Sequence, residues 1–587
     1  MFVYAARSVV VLAGLSALAA PPLSAQTVRD AQSKKGVVVS SHYLASDMGA
    51  SILAKGGNAV DAAVATAFGL AVTHPSAGNI GGGGFMVIRL ADGRATTIDY
   101  REKAPLHSTT TMYVSADGSV NYAGTDSGWK SPGVPGTVRG LALAHQKYGK
   151  LPWKDVVMPA AELAGRGFEL SKELAAELNA VVGGFMAPFP ASVAAYGKPG
   201  GGKWQGGDRI VLPQLSRALS AIAESPDAFY TGWIADSVAA QMRAHGGLIS
   251  KEDLAQYRAV ERPPARGTFL GNEIISMGPP SSGGMVMIMT LNMLEAMAAQ
   301  RFAPDSPEFL HRRIEAARRV YLERARWMGD SDFVKVPMDR LLSKTYAAQL
   351  ARSIDLKHSS RSDSLGADLI GTATTMEPDE TTHFSVVDAD GNAVSNTYTL
   401  EGGYGSGVVV AGFLLNNEMG DFNKKPGNTT RHGDIGTPPN VIEPGKRMLS
   451  SMSPAIVTRN GQLRLVTGSP GGRTIPNTVL NVILGVTAFN RTVRQAVSAP
   501  RLHHQWEPDT TYLEAGGASP ATVARLRDMG HHVGVDKERV QGDASSITYD
   551  PVTHLATGAN DTRYPDSKAS GVGGHTPARA TRRPKKG

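Results

Sequence analysis

The stretch TTHFSVVDADGNAVSNTYTL, residues 381–400, is the most informative part of this 587-residue chain. Aromatic and β-branched residues flank an Asp390-Gly391 pair, which is a strong signal for a tight hairpin turn. The polar, acidic segment MEPDE, residues 376–380, comes directly before it. We therefore predict a β-hairpin whose first strand starts at the threonine pair Thr381-Thr382, far from either terminus.

The position of Thr381 at the start of a strand allows two interpretations. A threonine hydroxyl is a weak nucleophile unless a base lies beside it, and the α-amine of an N-terminal threonine, with a pKa near 8, is such a base. Thr381 would acquire that amine only if the bond before it were cut. The alternative is that two β-branched residues simply begin a strand, and the local sequence alone favours that alternative.

The rest of the chain predicts layers of helices and antiparallel strands, not a parallel dinucleotide-binding series. Two further hairpins are expected in residues 453–469 and 545–559, the first turning at Asn460-Gly461. A helical hairpin is expected in residues 40–73, and residues 130–350 are predicted to be mostly helical.

Composition excludes several classes of protein. Apolar residues make up 42% of the chain and charged residues 19%, as in a globular protein with a sizeable core. The absence of cysteine excludes disulfides, cysteine-ligated metals and a cysteine nucleophile. The net charge of +8 comes largely from the C-terminal end, TPARATRRPKKG, and residues 566–587 are predicted to be a disordered basic tail. No nucleic-acid-binding motif accompanies that charge, so we expect no nucleic-acid partner.

The N-terminus predicts export. Arg7 precedes an apolar run over residues 9–20, and Leu23-Ser24-Ala25 is typical of a signal-peptide cleavage site. The alternative, a membrane anchor, is disfavoured because the run is too short to cross a bilayer comfortably. We expect residues 1–25 to be removed and the mature protein to be periplasmic or secreted, with no membrane span.

Common catalytic motifs are missing. The sequence contains no HExxH, no phosphate-binding lysine loop and no GxSxG. His503 and His504 are adjacent and would point to opposite faces of a strand, so we expect a structural role for them and no metal site. The glycine run 81–84 lacks the lysine and hydroxyl of a phosphate loop and is predicted to serve close backbone packing.

The chain resembles the γ-glutamyltranspeptidases (glutathione hydrolases) of the N-terminal nucleophile hydrolase superfamily over residues 36 to about 565. The matching stretches are GGNAVDAAVA (56–65), LAVTHPSAGNIGGGGFM (70–86), DYREKAP (99–105), SPGVPGTV (131–138), PPSSGG (279–284), TTHFSVVDADGNAVSNTYTL (381–400), LLNNEMGDF (414–422), MLSSMSP (448–454), TGSPGG (467–472) and PRLHHQW (500–506). So many matches in the same order are highly specific.

The resemblance implies a fold, a processing step and a nucleophile. The fold would be a four-layer αββα sandwich, of class α+β. The precursor would cut itself between Glu380 and Thr381, giving a large subunit of residues 26–380 and a small subunit of residues 381–587 that remain together as a heterodimer. Thr381 would be the nucleophile of both processing and catalysis, and Thr399 matches the threonine whose hydroxyl hydrogen-bonds it.

The resemblance also implies a binding site for the γ-glutamyl group. Arg101 matches the arginine that binds the substrate α-carboxylate, for which a guanidinium fork is well suited. Ser450 and Ser451 match serines that add hydrogen bonds to that carboxylate. Glu418 and Asp421 match the groups that hold the α-ammonium.

The implied reaction is acyl transfer in two steps without a metal or organic cofactor. Gly471 and Gly472 match the backbone N–H donors of the oxyanion hole, each typically worth about 3 kcal/mol. Thr381 would attack the γ-glutamyl amide of a compound such as glutathione. Water, or an amino acid or dipeptide acceptor, would then take the glutamyl group.

Two features depart from the family pattern. Glu401 stands where many relatives have asparagine and would place a third carboxylate near the ammonium site, leaving one of the acids partly protonated. The loop 423–447 is long enough for the lid seen in some members, but it has no clear counterpart of a lid tyrosine, and His432 lies near that place.

Three functions therefore stay open. The leading one is γ-glutamyl transfer and hydrolysis. The second is a sister activity on the same machinery, either a glutaryl or cephalosporin acylase or a poly-γ-glutamate hydrolase. The third is a processed but inactive binding protein.

Overall fold

The computed structural model describes residues 29–369, 381–431, 434–536 and 540–573. The predicted signal peptide, Glu380, His432 and the tail beyond residue 573 lie outside the described residues.

Strands and helices alternate in clusters along the described chain. The strands are β1 Ala31–Ser33, β2 Gly36–Ser40, β3 Gly83–Arg89, β4 Ala95–Asp99, β5 Phe168–Glu169, β6 Arg209–Ile210, β7 Val260–Arg262, β8 Ala265–Phe269, β9 Asn272–Ser276, β10 Thr382–Asp388, β11 Ala393–Thr399, β12 Val409–Val410, β13 Phe413–Leu414, β14 Ala455–Arg459, β15 Gln462–Thr467, β16 Leu502–His503, β17 Thr511–Glu514, β18 Val533–Asp536, β19 Ser546–Asp550, β20 Leu555–Ala559 and β21 Lys568–Gly571. The helices are α1 Tyr43–Ala54, α2 Ala59–Thr73, α3 Tyr122–Asp126, α4 Thr137–Tyr148, α5 Trp153–Arg166, α6 Lys172–Gly183, α7 Pro190–Tyr196, α8 Pro213–Glu224, α9 Asp227–Tyr230, α10 Trp233–His245, α11 Lys251–Gln256, α12 Gly283–Ala296, α13 Pro307–Trp327, α14 Met338–Leu341, α15 Lys344–Arg352, α16 Ser362–Leu365, α17 Ile475–Thr487, α18 Val493–Ser498 and α19 Pro520–Asp528. None of these helices combines the length and the apolar character needed to cross a membrane.

Two seven-stranded antiparallel sheets form the centre of the molecule. Sheet I has the order β21-β2-β10-β11-β3-β4-β7, and sheet II has the order β1-β20-β19-β15-β14-β9-β8. In sheet I, strand β10 pairs with β2 on one side and with β11 on the other. The residue that precedes β10 is Thr381, so the predicted nucleophile lies at the end of a central strand.

The sheets face each other through a layer of buried aliphatic side chains. Valines and isoleucines alternate inward from both sheets, among them Val39, Val387, Ile456 and Ile547. Burial of such side chains is the main stabilising contribution to a fold of this kind, at roughly 25 cal/mol per Å² of apolar surface.

Helices cover the two outer faces. The helices α1 and α2 pack on sheet I, and α2 is buried along its whole length, which explains its alanine-rich sequence. The helices α12 and α17 pack on sheet II. The order helix–sheet–sheet–helix confirms the predicted four-layer αββα architecture and the three predicted hairpins, at β10–β11, β14–β15 and β19–β20.

Residues 130–350 are mostly helical, as predicted, but within them residues 260–276 form β7, β8 and β9 and extend both sheets. One sequence prediction needs correction. The disordered tail was predicted to start at residue 566, but β21 pairs with β2 at the edge of sheet I. Its sequence, KASG, has little β propensity, so pairing with a preformed neighbour decides its structure.

Candidate active site

The hairpin that carries Thr381 is fixed by its turn. The carboxylate of Asp388 accepts hydrogen bonds from the backbone N–H groups of Asp390 (3.0 Å) and Asn392 (2.9 Å). Gly391 has φ +84°, a left-handed conformation that glycine adopts without strain. The turn sets the register in which Thr382 pairs with Tyr398, and this brings Thr399 beside Thr381.

The two threonines predicted to act together lie in contact. The Oγ1 of Thr381 lies 3.5 Å from the Oγ1 of Thr399, at the long limit of a hydrogen bond. The Thr399 hydroxyl oxygen also accepts a hydrogen bond from the backbone N–H of Glu401 at 2.8 Å. The hydrogen bond from Glu401 therefore fixes the Thr399 hydroxyl beside the hydroxyl of Thr381.

Arg101 lies at the centre of a cluster of acidic side chains. Its guanidinium forms an ion pair with Glu418 at 2.7 Å and another with Asp421. It also donates hydrogen bonds to the backbone carbonyls of Met448 (3.3 Å) and Leu449 (3.2 Å). These contacts fix a side chain that is only 1% exposed.

A further acid, Glu102, belongs to the same cluster and was missed by the sequence analysis. It is fully buried, and its Oε2 lies 3.5 Å from a terminal nitrogen of Arg101. Burial raises the pKa of Glu102 to about 8, although Arg101 opposes the rise. The pKa of Glu418 is raised well above its usual range, again by burial first and then by the neighbouring carboxylates. The signal available in the sequence was its place next to Arg101 in DYREKAP.

The serine pair is held by the segment that contains PPSSGG. The backbone carbonyl of Ser450 accepts hydrogen bonds from the backbone N–H (2.8 Å) and the hydroxyl (2.7 Å) of Ser282. Arg324, on α13, donates to the hydroxyls of Ser451 at 3.0 Å and Ser282 at 2.9 Å. Arg324 is a second residue that sequence reasoning missed, because nothing in the pattern of α13 separates it from its neighbouring arginines.

The two glycines predicted for the oxyanion hole adopt conformations that favour glycine. Gly471 has φ +126° and Gly472 has φ +53°. Thr474 stabilises the turn, since its hydroxyl donates to the carbonyl of Gly471 at 2.7 Å. Their backbone N–H groups lie at the start of a short 3-10 turn, Gly472–Thr474, that leads into α17.

The glycine run 81–84 packs closely against the same region, as predicted. A methyl group on Gly82 would collide with the backbone carbonyl of Thr399, and one on Gly83 would lie 2.6 Å from a carboxylate oxygen of Glu102. The run therefore lets β3 approach the strand that carries Thr399.

The predicted residues converge on one cavity. Nine of them line it: Arg101, Thr381, Thr399, Glu401, Glu418, Asp421, Ser450, Ser451 and Gly472. Gly471 is the neighbour of this lining, and Glu380 and His432 lie outside the described residues. In the part of the chain that the structure describes, no group of three or more histidine, aspartate or glutamate side chains is arranged to hold a metal ion.

The fold and the cavity define a class. Two antiparallel sheets stacked between helices, with a threonine at the start of a central strand opening into a polar cavity, are the architecture of N-terminal nucleophile hydrolases.

Comparison with known proteins identifies the family within that class. The family model for gamma-glutamyltranspeptidase matches residues 45–571. The chain is 42% identical over 559 residues to a glutathione hydrolase proenzyme of Escherichia coli K12, covering 94% of this chain and 95% of that protein. The chain belongs to the γ-glutamyltranspeptidase family.

Acylases are also similar to this chain. It is 36% identical to the acylase ACY 1 proenzyme of Pseudomonas sp. SE83, over 89% of this chain and 91% of that protein. Among solved structures, a cephalosporin acylase from Bacillus halodurans matches with a TM-score of 0.80 and 26% identity, covering 95% of this chain and 99% of the other. The fold is thus shared by enzymes of both activities.

Proposed function

We propose that this protein is a self-processing γ-glutamyltranspeptidase that acts on glutathione and related γ-glutamyl amides. The observation that carries the proposal is the shared cavity. Thr381, at the start of β10, lines the same space as a buried arginine and a group of carboxylates. That combination offers a nucleophile at one end and complementary charges for an α-amino acid head group at the other.

Processing would come first. Cutting the Glu380–Thr381 bond gives Thr381 a free α-amine, which can take the proton of its own hydroxyl. The two pieces, residues 26–380 and 381–587, would stay together, because sheet I is built from strands of both.

The chemistry then proceeds in two balanced steps. The Thr381 Oγ1 attacks the γ-carbonyl carbon while its proton passes to the α-amine, and the amine returns that proton to the departing amine of cysteinylglycine. Water, or the amine of an amino acid or dipeptide, attacks the resulting ester, and Thr381 recovers its proton. The backbone N–H groups of Gly471 and Gly472 would stabilise the negative charge that develops on the carbonyl oxygen.

The head group would be held by charge and by neutral donors. Arg101 would bind the α-carboxylate together with the hydroxyls of Ser450 and Ser451, and Glu418 and Asp421 would bind the α-ammonium. Charge-assisted hydrogen bonds of this type are about twice as strong as neutral ones.

The acylase alternative is favoured by the likeness to acylase sequences and to an acylase structure. A glutaryl chain has the carboxylate that Arg101 could bind, but it has no ammonium. Glu418, which is buried, and Asp421, which is partly exposed, would then have no partner from the substrate, and for a buried acid such as Glu418 that is costly. The acidic cluster therefore supports the γ-glutamyl substrate.

The test begins with processing. Intact mass and N-terminal sequencing of the purified protein should show a fragment that starts Thr-Thr-His-Phe, and a Thr381→Ala variant should remain uncut. With γ-glutamyl-p-nitroanilide, the processed protein should release p-nitroaniline and the variant should not.

Two other results would decide against the proposal. An uncut chain in both samples would mean that the amine never forms and would contradict the enzymatic mechanism. A processed protein that cleaves glutaryl-p-nitroanilide faster than the γ-glutamyl compound would instead establish the acylase. The matched control is Thr382→Ala. The hydroxyl of Thr382 contacts Ser41 at 3.0 Å and not Thr399, so this variant should still be processed.

A further inference from the structure

The buried acid Glu102 has no role in the mechanism above, although it contacts the arginine on which that mechanism depends. It follows Arg101 directly, three residues beyond the end of β4, and its side chain is completely buried. Among the described residues, its Oε1 has no hydrogen-bond partner. An ionised carboxylate in such a place is poorly compensated, because burial disfavours charge and the hydrogen bond from Arg101 to its Oε2 is long, at 3.5 Å.

The surroundings of Glu102 contain far more negative than positive charge. Arg101 is the cation that contacts it, and that same guanidinium already forms ion pairs with Glu418 and Asp421. The charged and titratable groups that face Glu102 come from three places. They are Arg101 and Asp99 near the end of β4, Glu418 and Asp421 on a second 3-10 turn, Glu418–Asp421, and the phenols of Tyr100, Tyr230 and Tyr257. Burial raises the pKa of each phenol, so these groups stay neutral and offer no compensating charge.

Substrate binding would increase the excess of negative charge around Arg101. The α-carboxylate of a γ-glutamyl group would bring another negative charge to Arg101, while the α-ammonium would be placed among the acids on the other side. A carboxylate held 3.5 Å from the guanidinium competes with the substrate for the same N–H groups and the same charge.

We propose that Glu102 is a positioning residue that must be protonated when the γ-glutamyl head group binds, because an ionised Glu102 competes with the substrate α-carboxylate for Arg101. The inference rests on the proposed function. A neutral Glu102 leaves the charge of Arg101 available and still fills the space between the arginine and the glycines of β3. When Glu102 ionises, its proton passes to solvent and the affinity for the head group falls.

The proposal predicts a change of KM with pH on the alkaline side. Burial raises the pKa of Glu102 to about 8, so the neutral form should decline above that pH. The KM for γ-glutamyl-p-nitroanilide should then rise about tenfold per pH unit, with a much smaller change in kcat. The substrate ammonium also titrates at high pH, and it does so equally for every variant.

The experiment compares the wild type with Glu102→Gln, which mimics the neutral acid in size and in hydrogen-bonding capacity. Both are assayed from pH 6 to pH 9.5 in steps of half a unit, after processing has been verified by mass. We expect Glu102→Gln to have a neutral-pH KM within about threefold of the wild type and to lose the part of the rise that begins near pH 8, so that only the part caused by the substrate ammonium is left. Glu443→Gln, which neutralises a half-exposed acid paired with Lys446, is the control and should keep the rise.

Each outcome decides between the alternatives. An alkaline rise of KM in Glu102→Gln equal to that of the wild type overturns the inference but leaves the proposed function intact. No cleavage of the γ-glutamyl substrate by the wild type at any pH overturns the proposed function itself. If Glu102→Gln does not fold, the inhibition constant of glutarate on the wild type decides. Glutarate has carboxylates and no amine, so a constant that rises above pH 8 supports the inference and a flat one overturns it.

Discussion

At the scale of single residues, the site combines a proposed nucleophile, to which the sequence points, with an electrostatic arrangement that the sequence does not show. Thr381 could be proposed because its strand starts abruptly after an acidic segment and because ordered motifs resemble one family. Glu102 could not be found that way, since its importance comes from complete burial beside Arg101. The local sequence DYREKAP contains the residue but gives no sign of how much water the fold excludes.

Glu401 offers a residue-scale prediction because it is strained. Its φ of +79° lies in the left-handed region, where asparagine is several-fold enriched and glutamate is uncommon. Glu401→Asn should therefore raise the free energy of unfolding by about 1 kcal/mol, seen as a higher Tm. Glu401→Gln is the matched control, because it removes the charge and keeps the unfavourable conformation. Equal stabilisation by both variants would assign the effect to charge repulsion and contradict the backbone explanation.

At the scale of elements, the turns could be predicted from the sequence, but the pairing of distant strands could not. The pairs Asp390-Gly391 and Asn460-Gly461 predicted hairpins that the structure contains, because the residues of a tight turn must tolerate positive φ. The pairing of β2 with β10 joins segments that are more than 340 positions apart, and no local pattern encodes it. The strands β7 to β9 were overlooked because they are short and lie between helices.

The close approach of β3 to β11 gives an element-scale prediction. In Gly82→Ala, the new methyl group would meet the carbonyl of Thr399 and lie 2.8 Å from the Oδ1 of Asn79. We expect a loss of about 3 kcal/mol in unfolding free energy, together with slower processing, because the strand that carries Thr399 must shift. Denaturant unfolding and the mass of the fragments measure the two effects.

The control for that substitution is Gly93→Ala. Gly93 has φ +92° in an open turn where an added methyl group meets nothing within 4 Å. Its cost should be about 1 kcal/mol, from conformation alone, and processing should proceed normally. Similar losses in the two variants would show that close packing at Gly82 is unimportant.

At the scale of the whole molecule, buried ionisable groups should give a stability maximum in weak acid. Burial lowers the pKa of His42, His383 and His531 to about 3 and that of His74 to about 4. The unfolded chain therefore binds more protons below about pH 6.5, and stability falls as the solution becomes more acidic.

Buried acids act in the opposite direction. Burial raises the pKa of Glu102 to about 8 and that of Asp543 to about 7, so the unfolded chain loses these protons first as the pH rises from about 4.5. Above pH 6.5 the histidines no longer compensate, and stability should fall by about 2 kcal/mol between pH 6.5 and pH 8 for Glu102 alone.

Thermal unfolding across pH 4 to 9 measures the balance. We expect the highest Tm near about pH 6.5, because below that pH the four histidines outweigh the two acids, and a shallower alkaline decline in Glu102→Gln. A Tm that continues to rise up to pH 8 would contradict this assignment.

The order of strands in the sheets has a consequence in time. The N-terminal strand β2 lies between β10 and β21, and β1 lies beside β20. The strands that are synthesised first can therefore pair only after their partners, which are synthesised last, are available. A chain emerging from the ribosome or from an export channel cannot complete either sheet until its final hundred residues are available. The surroundings of Thr381 are thus assembled only at the end of synthesis, and a chain interrupted earlier would have no finished site with which to cut itself or anything else.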